Sequence, residues 1–321
     1  MKVGLVTDVL GYMPLEDMLD TVANLGVETL ELGCGNWSKA PHLSLDTMLE
    51  DSSKRHQFLR MLRERNLSIA ALNCSGNQLA PGPSGIEHDQ IVRKTMALAD
   101  ALEIETVVLM SGCPGGSPED KTANWITHPI LPEHTESLRY QWEDVALPYW
   151  YELEKDARRK GVKLAIENLG NNLVHNPDTM WRLRRETGPN VGMNFDPSHL
   201  FWMGGDPITA LRQLEGVIHH VHAKDVRIER GLSDVNGLID VNAIDTPSLR
   251  AWNYVALGYG HDAAYWSEFF SVLSMIQYSG PVVLEMEDLT MDPLTGVVKS
   301  IDLLKQTLPR TFNNRSEVEA K

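Results

Sequence analysis

Short runs of β-branched and aliphatic residues alternate along the chain with longer stretches in which apolar positions recur every three or four residues. The short runs are VGLVTD (3–8), TLELG (29–33), SIAALNCSG (68–76), TVVLMSG (106–112), KLAIEN (163–168), VGMNFD (191–196), IHHVHAKD (218–225) and PVVLEME (281–287). Their length and flanking turn residues predict strands. The longer periodicity predicts helices over 14–25, 52–65, 87–102, 177–186, 206–214, 263–278 and 294–308. Eight strand–helix units in 321 residues fit a single α/β fold, the (β/α)8 TIM barrel. The barrel is assigned to residues 1–309, and the polar segment 310–321 reads as a frayed tail.

Three stretches break the alternation. Pro148 interrupts the helical pattern over 136–160, where a proline ring removes one hydrogen bond and crowds the preceding turn, so two helices or a kink are expected. Residues 112–135, after strand four, are rich in Gly and Pro and longer than a routine connection. Residues 226–262, after strand seven, form a second excursion. Loops of this size on a barrel shape specificity or an oligomer contact.

The strands stay apolar until their last residues, where polar side chains appear. In a parallel barrel the C-terminal strand ends meet at one rim, so residues distant in sequence converge there. Glu167, Asp196, His222 and Glu285 close the last four strands. Gathered without a cation, three carboxylates repel one another, and a bound divalent ion relieves that repulsion. The alternation of side chains along a strand puts His220 and His222 on one face and His219 on the other, and His222 lies nearer the rim. By the same reasoning Glu285 is preferred to Glu287, which lies further into the loop. Oxygen-rich coordination with one imidazole favours Mn2+, with Mg2+, Co2+ or Zn2+ as alternatives. His199, three residues beyond Asp196, can reach the ion or a substrate hydroxyl, or can cap the turn.

Composition narrows the partners. A net charge of -15 with no basic, aromatic-rich cluster argues against nucleic acid. An N-terminal signal pattern and an apolar run of membrane-spanning length are both absent from the sequence, so a cytoplasmic setting without membrane contact is expected. Cys34, Cys74 and Cys113 are too few and too scattered for a disulfide framework or zinc knuckle, and read as small buried thiols. No phosphate-binding loop of the nucleotide triphosphate type occurs. Trp37, Trp125, Trp202 and Trp252 fall in or beside rim loops, where flat apolar surfaces cover the carbon face of a sugar. Asn73, Asn168 and Asn194 stand near strand ends with amides suited to sugar hydroxyls.

The order Glu167, then Asp196-any-any-His199, then His222-any-Lys224-Asp225, then Glu285 resembles the xylose isomerase-like TIM-barrel superfamily of sugar phosphate isomerases and epimerases. The resemblance spans about 1–309 and is most specific in FDPSH and HVHAKD. It implies a metal on Glu167, Asp196, His222 and Glu285, with His199 and Arg227 as substrate contacts. The ketose 3-epimerases of this superfamily imply acid/base roles for Glu167 and Glu285, and Lys224 or Arg227 would add positive charge near the oxyanion. The expected activity is isomerisation or epimerisation of a ketose or oxo-sugar by enolisation.

RAWNYVALGYGHD and FDPSHLFW are also similar to catalytic subunits of C-glycoside deglycosidases, which are lyases acting on 3-oxo-glycosides beside a small β-type subunit. That subgroup often carries a His two residues after the strand-five glutamate. Leu169 stands there, leaving His175 or His261 as substitutes. Abasic-site endonucleases of the superfamily use additional histidines on early strands, where this chain has Asn73, Ser75 and Ser111. A barrel that binds metal without catalysis is the remaining alternative. A homo-oligomer is expected from the resembling family.

Overall fold

In the computed structural model, which describes residues 1–309, eight parallel strands close on themselves. They are β1 (Val3–Val6), β2 (Thr29–Gly33), β3 (Ser68–Asn73), β4 (Thr106–Met110), β5 (Lys163–Glu167), β6 (Val191–Phe195), β7 (Ile218–Ala223) and β10 (Val282–Leu284). Each pairs with its neighbour in sequence order, and β1 joins β10 to seal the ring through Val3–Val282, Gly4–Val283 and Leu5–Leu284. The protein is a single (β/α)8 TIM barrel. A separate antiparallel pair, β8 (Asp225–Ile228) and β9 (Trp252–Val255), belongs to the excursion after β7. The expected tail at 310–321 lies outside the described residues.

Strand alternation builds two cores of different character. Leu30, Leu72, Leu109 and Ile166 face outward into the main core shared with the helices. Their neighbours Ala71, Val108 and Ala165 form a small cluster of their own. Small residues at that level leave room for long polar side chains from other strands. Glu31, Asn194, His220 and His222 are all fully buried. The inner face is therefore polar well below the rim, where apolar strands were expected.

The expected helices appear with small shifts at their ends. Helix Pro83–Leu102 begins four residues before the expected start, with Pro83 in its first turn, where a missing N–H costs nothing. The segment around Pro148 forms helix Pro132–Arg139, a π-helical stretch Tyr140–Ala146 and helix Leu147–Arg159. The widened turns just before Pro148 supply the predicted irregularity. Residues 112–131 stay irregular, so the loop after β4 is shorter than expected. Helices Leu45–Glu50, Pro197–Met203 and Arg230–Asn236 were not anticipated, because six or seven residues carry too few turns to display a period.

The excursion is tied down by one buried carboxylate. Asp225 Oδ2 accepts the backbone N–H groups of Gly258, Gly260 and His261, each at 3.0 Å. Its other oxygen accepts from Val226 N and pairs with His261 Nδ1, both at 2.8 Å. A Cβ at Gly260 would collide with the Val226 carbonyl, so glycine is needed for this approach. Among the described residues no helix is long and apolar enough to cross a membrane.

Asp225→Asn presents an amide where three donors converge. We expect it to cost about 1.5–3 kcal/mol in denaturant unfolding, the range for hydrogen bonds to a charged group. Amide exchange should rise across 226–262 more than in the barrel strands. Equal exchange in variant and wild type would show that another contact anchors the excursion.

Candidate metal centre

Each member of the expected ligand set is placed by a strand end. Glu167 is the last residue of β5, Asp196 follows β6, His222 is the penultimate residue of β7, and Glu285 follows β10. One ligand atom from each lies within 4.8 Å of all the others. His222 Nδ1 stands 3.1 Å from Glu285 Oε2 and 3.5 Å from Glu167 Oε2. The DPSH motif explains the pose of Asp196. Its Oδ1 caps helix Pro197–Met203 through Ser198 N at 2.8 Å, and Pro197 opens that helix. The cap leaves Oδ2 buried with no hydrogen-bond partner, 3.2 Å from His199 Nε2. An orphaned carboxylate oxygen beside two further carboxylates and an imidazole nitrogen fits a divalent cation.

Glu31, from the middle of β2, is a part of this centre that the strand-end logic overlooked. β2 and β7 are not neighbours in the barrel, so its contacts cross the interior. Glu31 Oε2 lies 2.7 Å from His220 Nε2 and 3.0 Å from His222 Nε2, while Asn73 Nδ2 donates to Oε1 at 2.6 Å. Because a carboxylate accepts, His222 carries its proton on Nε2 and turns Nδ1 toward the other ligands. The signal was present in TLELG: a lone charge in a short apolar strand cannot face the helices. Glu31, His220 and His222 also satisfy the spacing of a metal cluster by themselves. The two hydrogen-bonded Nε2 atoms identify that group as support for His222.

Electrostatics drive the two outer glutamates apart. Burial, then the nearby charge of Glu285, raises the pKa of Glu167 above the ordinary carboxylate range. Desolvation works against ionising Glu285 too, although its side chain stays 17% exposed, but Lys224 and His222 hold it down at about 2. Burial opposes the ionisation of Asp196 and Glu31 as well, and their histidine partners keep both low. Burial disfavours a charged His222, yet Glu31 and Glu285 raise its proton affinity well above normal, so a metal ion entering here displaces a proton.

The remaining expected residues divide by position. His199 joins the site, with Nε2 2.9 Å from Glu167 Oε1, while its Nδ1 faces Trp202 Nε1 at 3.4 Å and Tyr254 OH at 3.2 Å. An indole N–H only donates, so Nδ1 accepts and His199 presents its proton to Glu167. Trp202 stacks on Trp252 with centroids 5.0 Å apart, which carries the excursion over the mouth. Lys224, almost fully buried, bridges Glu285 at 3.0 Å and Glu287 at 2.7 Å under the ring of Tyr254.

Others stand behind the four candidate ligands or outside the cluster. Arg227 binds Glu229 at 2.8 Å and, among the described residues, makes no ion pair with the cluster. Asn73 commits its amide to Glu31 and its carbonyl to Ser75 N. Asn168 clamps both backbone groups of Asp196 at 2.9 Å. Asn194 lies 3.2 Å from Glu167 Oε2. His175 bonds to the carbonyls of Asn172 and Leu173, and His261 to Asp225, so neither hydrogen-bonds to a ligand. Trp37 is exposed, and Trp125 packs edge-on to His175. All three cysteines are free and buried, as expected.

The model of the xylose isomerase-like TIM barrel family matches residues 19–307. The chain belongs to this family. It is 54% identical over 311 residues to the uncharacterized protein YfiH of Bacillus subtilis (strain 168), covering 96% of this chain and 99% of that one. The inosose dehydratase of Histophilus somni (strain 129Pt) is 26% identical over 201 residues, 60% of this chain and 64% of that protein. Among solved structures, the barrel resembles one described as the probable 3-DHS dehydratase AsbF involved in petrobactin synthesis from Bacillus anthracis. That likeness has a TM-score of 0.68 and 15% identity, covering 95% and 99% of the two chains. It also resembles an IOLI protein with a bound zinc atom, with a TM-score of 0.62 and 18% identity over 97% and 100%. At these identities the structures show the shared xylose isomerase-like fold.

Removing the negative charge of Glu31 should loosen His222 without unfolding the barrel. Glu31→Gln is expected to weaken divalent-metal affinity about 10- to 100-fold, the usual effect of losing a partner behind a ligand. Competition with a chromogenic chelator measures it. Wild-type affinity in a folded variant would show that Glu31 does not orient the ligand.

Proposed function

We propose that the protein is a divalent-metal-dependent sugar isomerase or epimerase that enolises a ketose or oxo-sugar. The observation that carries this reading is the pair Glu167 and Glu285. They flank His222 in one cluster, with an oxygen of Glu285 3.1 Å and one of Glu167 3.5 Å from its Nδ1. A divalent ion held by Glu167, Asp196, His222 and Glu285 would polarise the substrate carbonyl and balance the negative charge that enolisation creates. Mn2+ is the first choice for this oxygen-rich set, with Mg2+, Co2+ or Zn2+ as alternatives.

One glutamate removes the proton from the carbon beside the carbonyl, and the other returns one. Return to the opposite face gives an epimer, and return to the neighbouring carbon gives an aldose–ketose isomer. His199 donates toward Glu167 and orients its carboxylate. Lys224 does the same for Glu285. Trp202, from the mouth, would cover the carbon face of the sugar. The free, buried cysteines support a reducing, cytoplasmic setting.

A second reading shares the first step. After enolisation a group on the next carbon leaves, as water or as an aglycone, instead of a proton returning. The likeness to inosose dehydratase favours loss of water. Cleavage of a C-glycoside has less support, because Leu169 carries no base and His175 and His261 are engaged elsewhere.

Glu167→Gln and Glu285→Gln should each lower solvent-deuterium exchange at the carbon beside the carbonyl by about 10²–10⁴, the range for general acid–base catalysis. Far-UV circular dichroism should stay at wild type. Chelation should abolish exchange and Mn2+ should restore it. Exchange retained in both variants refutes the acid/base roles, and an α,β-unsaturated ketone or a released aglycone in place of an isomeric sugar moves the assignment to the elimination.

A further inference from the structure

The hairpin after β7 sorts its side chains onto two faces. In the β8–β9 register Val226 stands opposite Tyr254, Arg227 opposite Asn253 and Ile228 opposite Trp252. Residues opposite one another in an antiparallel pair share a face, as do alternate residues along each strand. Val226, Ile228, Trp252 and Tyr254 therefore form one face, which packs on Phe201 and Trp202 of helix Pro197–Met203. Arg227 and Asn253 form the other, where both donate to Glu229. The inner face brings one hydroxyl to the centre, that of Tyr254.

Tyr254 touches a partner of each outer glutamate. Its hydroxyl lies 3.2 Å from His199 Nδ1, and His199 Nε2 lies 2.9 Å from Glu167 Oε1. Its ring covers the Lys224 ammonium at 4.3 Å, and Lys224 Nζ donates to Glu285 Oε2 at 3.0 Å. The acceptors around His199 fix the direction of the first contact. Nε2 faces oxygens of Glu167 and Asp196, at 2.9 and 3.2 Å, and an ionised carboxylate only accepts. The ring proton therefore sits on Nε2, and Nδ1 receives a proton donor. Desolvation raises the proton affinity of the phenol, so Tyr254 keeps the proton it donates. Trp202 Nε1 approaches the same nitrogen at 3.4 Å, the longer of the two contacts. Lys224, only 4% exposed, has three N–H groups to satisfy, and Glu285, Glu287 and the ring face share them.

We propose that Tyr254 is the positioning residue of the enolising pair: its hydroxyl holds His199 in the tautomer that donates to Glu167, and its ring holds Lys224 against Glu285. The excursion thereby acts on both glutamates through one side chain. The inference rests on the acid/base reading of Glu167 and Glu285 and adds the group that orients their partners.

Tyr254→Phe removes the hydroxyl and keeps the ring, whereas Tyr254→Leu removes both. Nitrogen-15 spectra of the full-length protein in Zn2+, a diamagnetic ion, report the His199 tautomer without substrate, with the signals assigned through His199→Gln. Wild type should show a proton on Nε2 and none on Nδ1. In Tyr254→Phe the Nδ1 resonance should move downfield, as an acceptor nitrogen does when it loses a donor. The side-chain methylene protons of Lys224 should be shifted upfield by the ring in wild type and Tyr254→Phe, and should lose that shift in Tyr254→Leu. A protonated Nδ1 in wild type overturns the proposal, and this outcome can be read even when a variant fails to fold. So does an Nδ1 signal unmoved by Tyr254→Phe, or a Lys224 signal unmoved by Tyr254→Leu. Solvent-deuterium exchange into D-fructose, D-tagatose and 2-keto-inositol supplies the kinetic arm. Tyr254→Phe should lower kcat about three- to tenfold, the span of one neutral hydrogen bond, with KM and metal content unchanged. Unchanged kcat overturns the positioning role, and a rise in KM alone replaces it with a direct substrate contact. Wild type that exchanges none of the three compounds defeats the enolisation reading alone, since the spectra still decide what Tyr254 holds.

Discussion

Negative charge gathered in the mouth of the barrel is the constraint around which the centre is arranged. Carboxylates from β2, β5, β6 and β10 approach one another where little water enters. Each is costly to bury ionised, and each raises the cost of the next. The chain answers with fixed partners: histidine nitrogens on Glu31, Glu167 and Glu285, the Lys224 ammonium, and an amide from Asn73. Asp196 Oδ2 remains short of a donor, and that deficit suits a cation.

The scaffold makes this concentration of charge sustainable. Parallel pairing fixes the heights of the strand ends, so Glu167 is level with Asn194 and Val283 with His222. Asn168 clamps the end of β5 to Asp196, and helix Pro197–Met203 begins on the same carboxylate. His222 is held from both sides, by Glu31 below and the outer glutamates above. Such double restraint is what keeps ligands within the narrow geometry a metal or a transition state demands.

The excursion after β7 turns an open rim into a lined pocket. Asp225 closes its base, Trp252 stacks on Trp202, and Tyr254 reaches His199 and Lys224. Residues 226–262 thereby supply one wall of the site, and their length is where this chain differs from a minimal barrel. Arg227 shows the limit of reading roles along such a segment. The family resemblance implied a substrate contact for it, and its guanidinium pairs with Glu229 two residues on.

Much of this was legible in residue order alone. Hydrophobic runs of strand length, separated by helical periodicity, allow few solutions other than a barrel, and the barrel then dictates that its strand ends meet. The four candidate ligands followed from that rule and from period-two alternation, which is local, and His199 from its place three residues past Asp196. Tertiary structure decided the contacts that cross the interior. Glu31 partners residues 189 and 191 positions away, and Asn73 of the neighbouring strand donates to the same carboxylate. Local pattern sets which way a side chain points. Only closure of the sheet determines what it meets.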